Sequence, residues 1–146
     1  MAVIGKPAAL KPWELDLIAQ CRVARLATIS PDGYPHLVPV CFAFVDGTFF
    51  VPIDEKPKRA TTLARVQNIE RDPRATLLID HYADDWSQLA WLRFDCGAAV
   101  LSSGSERPDV VTELRRRYLQ YQDMALEARP LIALTPAHHA AWRWSG

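Results

Sequence analysis

At 146 residues the chain has the length of one domain, and its 49% hydrophobic and 23% charged residues fit a globular rather than a disordered protein. Lys and Arg number 17 and Asp and Glu number 17, so there is no basic excess of the kind that nucleic acid or an anionic membrane surface attracts. No apolar run approaches the ~18 residues that span a bilayer. The opening MAVIGKPAALKPW lacks the sustained apolar core of a signal peptide. A single domain over 1–146 is expected, with 1–11 as a flexible arm. The three cysteines, Cys21, Cys41 and Cys96, are scattered and apolar-flanked, with no C-x-x-C pair. They read as buried small hydrophobes in a reducing, cytoplasmic protein.

Pro12 fits a first helical turn, and Trp13, Leu17 and Ile18 recur at helical spacing, which predicts a short helix over 12–20. Val23–Ser30 is a predicted strand. Pro31-Asp32-Gly33 turns the chain into a second strand, His36–Val45. Asp46-Gly47 is a hairpin turn into a third, Thr48–Ile53. These three strands read as a meander that is apolar on both faces, as in a barrel or at an interface. Pro39 and Pro52 lie inside strands, where a missing N–H marks an edge, a bulge or the end of pairing.

Leu63, Val66 and Ile69 then share a helical face, so a helix is predicted over 58–71, ended by Asp72-Pro73. A strand over Arg74–Asp80, an aromatic and acidic loop over His81–Ser87 and a long strand over Leu89–Leu101 follow. After a polar link at Ser102–Ser105, Val111, Leu114, Tyr118 and Tyr121 predict a helix over 108–121, with Arg115, Arg116 and Arg117 on a solvated outer side. Leu131–Leu134 is the last strand, interrupted at Thr135-Pro136 and resumed toward Trp144. Tight turns join most of these strands, so antiparallel pairing is expected, and a doubly wound parallel sheet is excluded by the shortage of helices. The fold class is mainly β, barrel-like, with peripheral helices.

Asp54-Glu55-Lys56-Pro57-Lys58-Arg59-Ala60-Thr61-Thr62 carries three cations at the start of the predicted helix. Cations there oppose the helix dipole, by about 0.3–1 kcal/mol each. An anion offsets that cost, so the segment reads as a phosphate site. It also reads as a solvated basic turn paired with Asp54 and Glu55. Trp86 and Trp91 either stack on a planar ring or fill core and interface contacts. His36 and His81 are isolated, and His138 and His139 point apart on a strand, so no metal site is expected. No G-x-S-x-G, G-x-G-x-x-G or Walker sequence occurs.

Arg25-Leu26-Ala27-Thr28-Ile29-Ser30 with Asp32-Gly33-Tyr34-Pro35-His36-Leu37-Val38-Pro39-Val40 resembles the opening hairpin of the pyridoxamine-phosphate-oxidase-like split barrels. Asp54 to Lys58 through Leu63, Asn68-Ile69 and Asp72-Pro73-Arg74 resembles their phosphate-binding strand–helix unit. His81-Tyr82 through Asp85-Trp86, Trp91-Leu92-Arg93 and Trp142 resemble the actinobacterial subgroup of F420-dependent enzymes. The resemblance spans about 12 to 144. It implies a six-stranded antiparallel split barrel and a homodimer holding two cofactors at its interface. It places phosphate on Lys56, Lys58 and Arg59, with Thr61 or Thr62 as hydroxyl donors. Pro39, Val40, Ile53 and Asp54 would line the ring, and Trp86 and Trp91 would close the pocket, from the same or the other subunit. The implied activity is hydride transfer between F420 and a small organic substrate, with no side chain acting as nucleophile. An FMN enzyme on the same scaffold and a cofactor carrier without turnover are the alternatives. The spare cations Arg59, Arg65 and Arg93 favour the longer, more acidic tail of F420.

Overall fold

The computed structural model describes residues 9–54 and 63–146. Helix α1 (Pro12–Gln20) leads into β1 (Ala24–Ile29), β2 (Pro35–Val40), β3 (Ala43–Val45) and β4 (Thr48–Pro52). Then come α2 (Ala64–Arg71), β5 (Arg74–His81), β6 (Ala90–Leu101), α3 (Pro108–Arg117) and β7 (Leu131–Arg143). Among the described residues, no helix is long and apolar enough to cross a membrane.

The strands form one antiparallel sheet in the order β2-β1-β5-β6-β7-β4-β3. The first and last strands of that order, β2 and β3, are joined by Cys41 and Phe42 alone. Laid flat, seven strands at about 4.8 Å spacing would hold those edges roughly 29 Å apart. Two linking residues reach about 11 Å between the flanking Cα atoms. The sheet therefore curls until its two edge strands come together at that corner, while along the rest of their length β2 and β3 stay unpaired with each other, as in a partly open barrel.

This corrects the expected meander. The run 36–45 is broken at Cys41-Phe42 into β2, which pairs with β1, and β3, which pairs with β4. Partner choice is set by the whole sheet, and the apolar run itself carries no sign of the bend. Six expected strands thus become seven segments. The Asp46-Gly47 turn is as expected: both residues have positive φ, 52° and 78°, as a two-residue hairpin requires. Pro39 lies on edge strand β2, and Pro52 is the last residue of β4. Pro136 does not interrupt the last strand. β7 runs through it with a bulge at Ala137, because Cys96 faces Pro136 while Asp95 faces His138.

Inward residues of the curled sheet make the main core. Leu26, Leu77, Ile79, Leu92, Phe94, Ile132 and Leu134 are essentially inaccessible. Phe49 sits at its centre, with its ring centroid 4.5 Å from that of Phe44 and 4.7 Å from that of Phe94. A second core lies outside the sheet, where Val110, Val111 and Leu114 of α3 and Tyr121 cover Ala43, Phe50 and Leu131. Strand β4 is buried on both faces for this reason: Phe49 and Val51 serve one core and Phe50 the other. The expected 108–121 helix stops at Arg117 and continues as a 3₁₀ turn over Leu119–Asp123.

The expectation of a solvated Arg115–Arg117 run fails at Arg117, which is buried against the β2–β3 corner. Arg115 pairs with Glu127 at 2.6 Å, and Arg116 pairs with Glu113 on the same helix. The cysteine expectation holds only for Cys96. Cys21 and Cys41 are half-buried, because they occupy joints between elements rather than the inward face of a strand.

Gly104 is a fixed point of the second core. Its N–H donates to the Arg129 carbonyl oxygen at 2.8 Å. A Cβ there would overlap the Leu126 carbonyl oxygen and lie 3.2 Å from Val111 Cγ2. Neither backbone nor helix can retreat freely, so Gly104→Ala is expected to cost about 1–3 kcal/mol. A chemical denaturation curve checks this, and an unchanged midpoint would refute it.

Candidate ligand-binding recess

Strands β2 and β4 end side by side at the β2–β3 corner. Pro39, Val40 and Cys41 from the first, and Pro52 and Asp54 from the second, line a recess of about 200 Å³. Val23, just before β1, and Arg65, in the first turn of α2, complete it. Neither proline has an N–H to donate, so each leaves a gap in the ladder beside the recess, and pairing resumes beyond them at Val40 with Ala24 and at Ile53 with Pro130.

Three of the four residues expected to line a ring, Pro39, Val40 and Asp54, therefore come together. Ile53 does not join them. It is 4% exposed and packs in the main core, with its N–H donating to the Pro130 carbonyl oxygen at 3.3 Å. Neighbours on an extended chain point to opposite sides, so Asp54 faces the recess and Ile53 the core. The expected phosphate residues Lys56, Lys58, Arg59, Thr61 and Thr62 lie outside the described residues. The described residues on either side of that segment include Asp54 before it and Arg65 after it, and both line the recess.

Asp54 is held from a distance. The Tyr121 hydroxyl donates to its Oδ2 at 2.6 Å, and Arg129 Nη1 donates to its backbone oxygen at 2.9 Å. Burial, then the Asp54 carboxylate, then Cys41 push the Tyr121 hydroxyl well above the usual phenol range, so it remains a proton donor at any ordinary pH. The recess thus has an apolar wall of proline and valine, a carboxylate acceptor and a buried guanidinium. Sequence reasoning missed Tyr121 and Arg129. Tyr121 falls at helical spacing with Val111, Leu114 and Tyr118, which reads as packing, and no local pattern signals a contact across 67 residues.

Trp86 and Trp91 are elsewhere in the fold. Trp86 is 63% exposed on the 3₁₀ turn Trp86–Gln88, edge-on to Trp144 at 6.1 Å. Trp91 is half-buried on β6 under the Arg93 guanidinium at 5.6 Å. It lines a second, shallower depression of about 420 Å³ on the outside of the sheet, with Leu37, Leu78, Tyr82 and Arg93. Neither tryptophan lines the recess of its own chain.

Histidines stay apart from the recess. His138 is exposed, while His139, on the other face of β7, stacks on Phe94 and places Nε2 3.2 Å from the buried Glu14 carboxylate. No sequence pattern announces that carboxylate–histidine pair, because its members are 125 residues apart. Among the described residues, no three His, Cys, Asp or Glu side chains could together hold a metal ion.

A family profile described as "Pyridoxamine 5'-phosphate oxidase" matches residues 11–143. The chain belongs to the pyridoxamine 5'-phosphate oxidase family. Solved structures of this split-barrel kind are similar over most of their length. A conserved hypothetical protein from Mycobacterium tuberculosis has a TM-score of 0.74 at 23% identity, covering 92% of this chain and 86% of its own. A heme storage protein from Vibrio cholerae has a TM-score of 0.72 at 19% identity, covering 92% and 94%. A structure named "F420 Reductase" has a TM-score of 0.66 at 17% identity, covering 90% and 98%. At these identities the likeness is one of fold. These structures differ in what they are named for, so residues of the recess, rather than the barrel, have to carry any choice of ligand.

The cysteines give a direct test of recess exposure. Burial, with Asp95 beside it, pushes the Cys96 thiol up to about 12, and burial also raises the Cys21 thiol. Since the thiolate is the reactive form, Cys96 should resist alkylation at pH 8 until the chain unfolds. Cys41, which lines the recess, should label first. Peptide mass mapping of a time course checks the order, and early labelling of Cys96 would contradict it.

Proposed function

We propose that the chain is a homodimeric oxidoreductase that binds the deazaflavin F420 and exchanges hydride between it and a small organic substrate. One observation carries the reading: the flanks of the basic segment, Asp54 and Arg65, line the same recess as Pro39 and Val40. The residues present fit a phosphate-bearing planar ring. Pro39, Val40 and Pro52 offer a flat apolar wall, Asp54 an acceptor for ring N–H groups, and Arg65 a cation facing an anionic tail. Lys56, Lys58 and Arg59, with Thr61 and Thr62, would take the phosphate.

When bound, the cofactor supplies the hydride chemistry. The chain's own residues bind it, orient it and exclude water around its ring. No side-chain nucleophile is required.

At about 200 Å³ the recess is smaller than the roughly 300–1,000 Å³ of typical ligand pockets. That size fits a half-site completed by a second copy, with Trp86 and Trp91 of that copy as the closing aromatics. The outer depression beside Trp91, together with exposed Tyr34, Leu37 and Tyr82, supports a dimer face. An interface of about 2,000 Å² is expected, and a monomer in sedimentation at micromolar concentration would refute it.

The cofactor is tested by titrating F420 and FMN side by side at low and moderate ionic strength. F420 should bind more tightly and lose affinity more steeply with salt, because its tail carries more negative charge. Tighter FMN binding at both salt levels would replace F420 with FMN. Tight F420 binding with no quinone, enone or nitro compound oxidising its reduced form would make the chain a carrier.

A further inference from the structure

Asp54 is fixed more firmly than a solvated strand-end aspartate needs to be. Its carboxylate takes the Tyr121 hydroxyl at 2.6 Å and its carbonyl takes Arg129 at 2.9 Å. Both donors come from the connection between α3 and β7, outside the sheet that forms the recess. Tyr121 is 3% exposed, is packed against Tyr118 with ring centroids 5.3 Å apart, and remains a donor. Tyr121 therefore commits Oδ2 and sets the rotation of the carboxylate. Among the described residues, no donor is bonded to Oδ1. An ionised carboxylate is acceptor-only and repels anions. On the wall of the recess it selects a donor edge and disfavours a phosphate at that place.

We propose that Tyr121 is a positioning residue that sets ligand specificity: it holds Asp54 so that the other carboxylate oxygen accepts from the imide N–H of a planar heterocycle. This rests on the reading of the recess as a ring site. It holds equally for a flavin or a deazaflavin, since both rings carry the imide. The recess then has direction. The imide edge lies at Asp54, and the anionic end lies away from it, toward cations.

The test compares wild type, Tyr121→Phe, Asp54→Ala and Asp54→Asn, using the full chain. The probes are 5-deaza-FMN and its N3-methyl derivative, which has the same phosphate but no imide donor. Equilibrium binding should favour the N–H form by at least tenfold in wild type. Asp54→Ala should bring the two affinities within about twofold, through weaker binding of the N–H form and not through tighter binding of the methyl form. Tyr121→Phe should reduce the preference several-fold without altering the salt dependence, because the phosphate contacts are untouched. A structural role alone would weaken both probes equally and leave the ratio unchanged, which would overturn the proposal. If Tyr121→Phe does not fold, Asp54→Asn decides the same question. It keeps the shape and the Tyr121 partner, but with its amide oxygen taken by the Tyr121 hydroxyl it turns an N–H₂ donor toward the ligand in place of the acceptor, so the preference for the N–H form should be lost. Binding of neither probe to wild type would refute the ring site itself, a different failure.

Discussion

Arg117→Ala should lower stability by about 3–5 kcal/mol, the largest loss expected from any single polar side chain among the described residues. Arg117 leaves the last turn of α3 and is 9% exposed. Its Nε donates to the Phe42 carbonyl oxygen at 3.0 Å, its Nη2 to that of Cys21 at 2.6 Å and its Nη1 to that of Ala19 at 3.3 Å. Ala19 and Cys21 belong to the C-terminal end of α1, where carbonyls have no helical partner and a cation is favourable. Phe42 is the corner at which the sheet closes, and the guanidinium also lies 4.7 Å from the centroid of its ring. Removing the side chain takes the charged donor from the buried Phe42 carbonyl, leaving it the Tyr118 hydroxyl, and from the part-buried carbonyls of Ala19 and Cys21, and it unties α1 from the corner. Charged hydrogen bonds of this kind contribute about 1.5–3 kcal/mol each. Arg117→Lys should recover only part of the loss, because an ammonium cannot fork to carbonyls on separate elements. Urea denaturation with an unchanged slope checks both variants. A loss under about 1 kcal/mol for Arg117→Ala would mean that water replaces the guanidinium.

Arg117 also illustrates what the sequence hides. Its spacing from Leu114 places it beside the apolar stripe of α3, yet its charge type reads as solvated. Position is legible there and partner is not, because the partners lie 75 to 98 residues away. Local signals are sound where the physics is local. Asp46-Gly47 announces a turn with two positive φ values, and Pro12 announces α1. The break at Cys41-Phe42 is not legible, since it follows from how far the sheet must curl to close. Within the recess, Pro39, Val40 and Asp54 are reached by resemblance, and strand alternation alone could have separated Ile53 from Asp54. The support of Asp54 by Tyr121 and Arg129 needs the fold. Recognition of the barrel therefore comes from the sequence, whereas the polarity of its recess comes from residues brought there by α3 and the turns after it.

Replacing Lys58 and Arg59 together by Ala should weaken cofactor binding by about 3 kcal/mol or more, roughly a hundredfold or greater change in Kd. The reason is additive charge at one anion. Each side chain is expected to make a charge-assisted hydrogen bond to phosphate, and each such bond contributes about 1.5–3 kcal/mol. The unliganded fold should be nearly unaffected, because long charged side chains such as these contribute little to a hydrophobic core. Salt separates this outcome from a general loss of the recess. In wild type, rising ionic strength should weaken binding steeply, and in the double variant the slope should flatten, because fewer cations remain to be screened. An Asp54→Ala chain should behave in the opposite manner, losing affinity at the ring end while keeping the wild-type salt slope. Isothermal titration at two salt concentrations distinguishes the patterns. If the double variant binds F420 and FMN as wild type does, the anionic tail is held by other cations, and Arg65, already on the recess wall, becomes the first to replace.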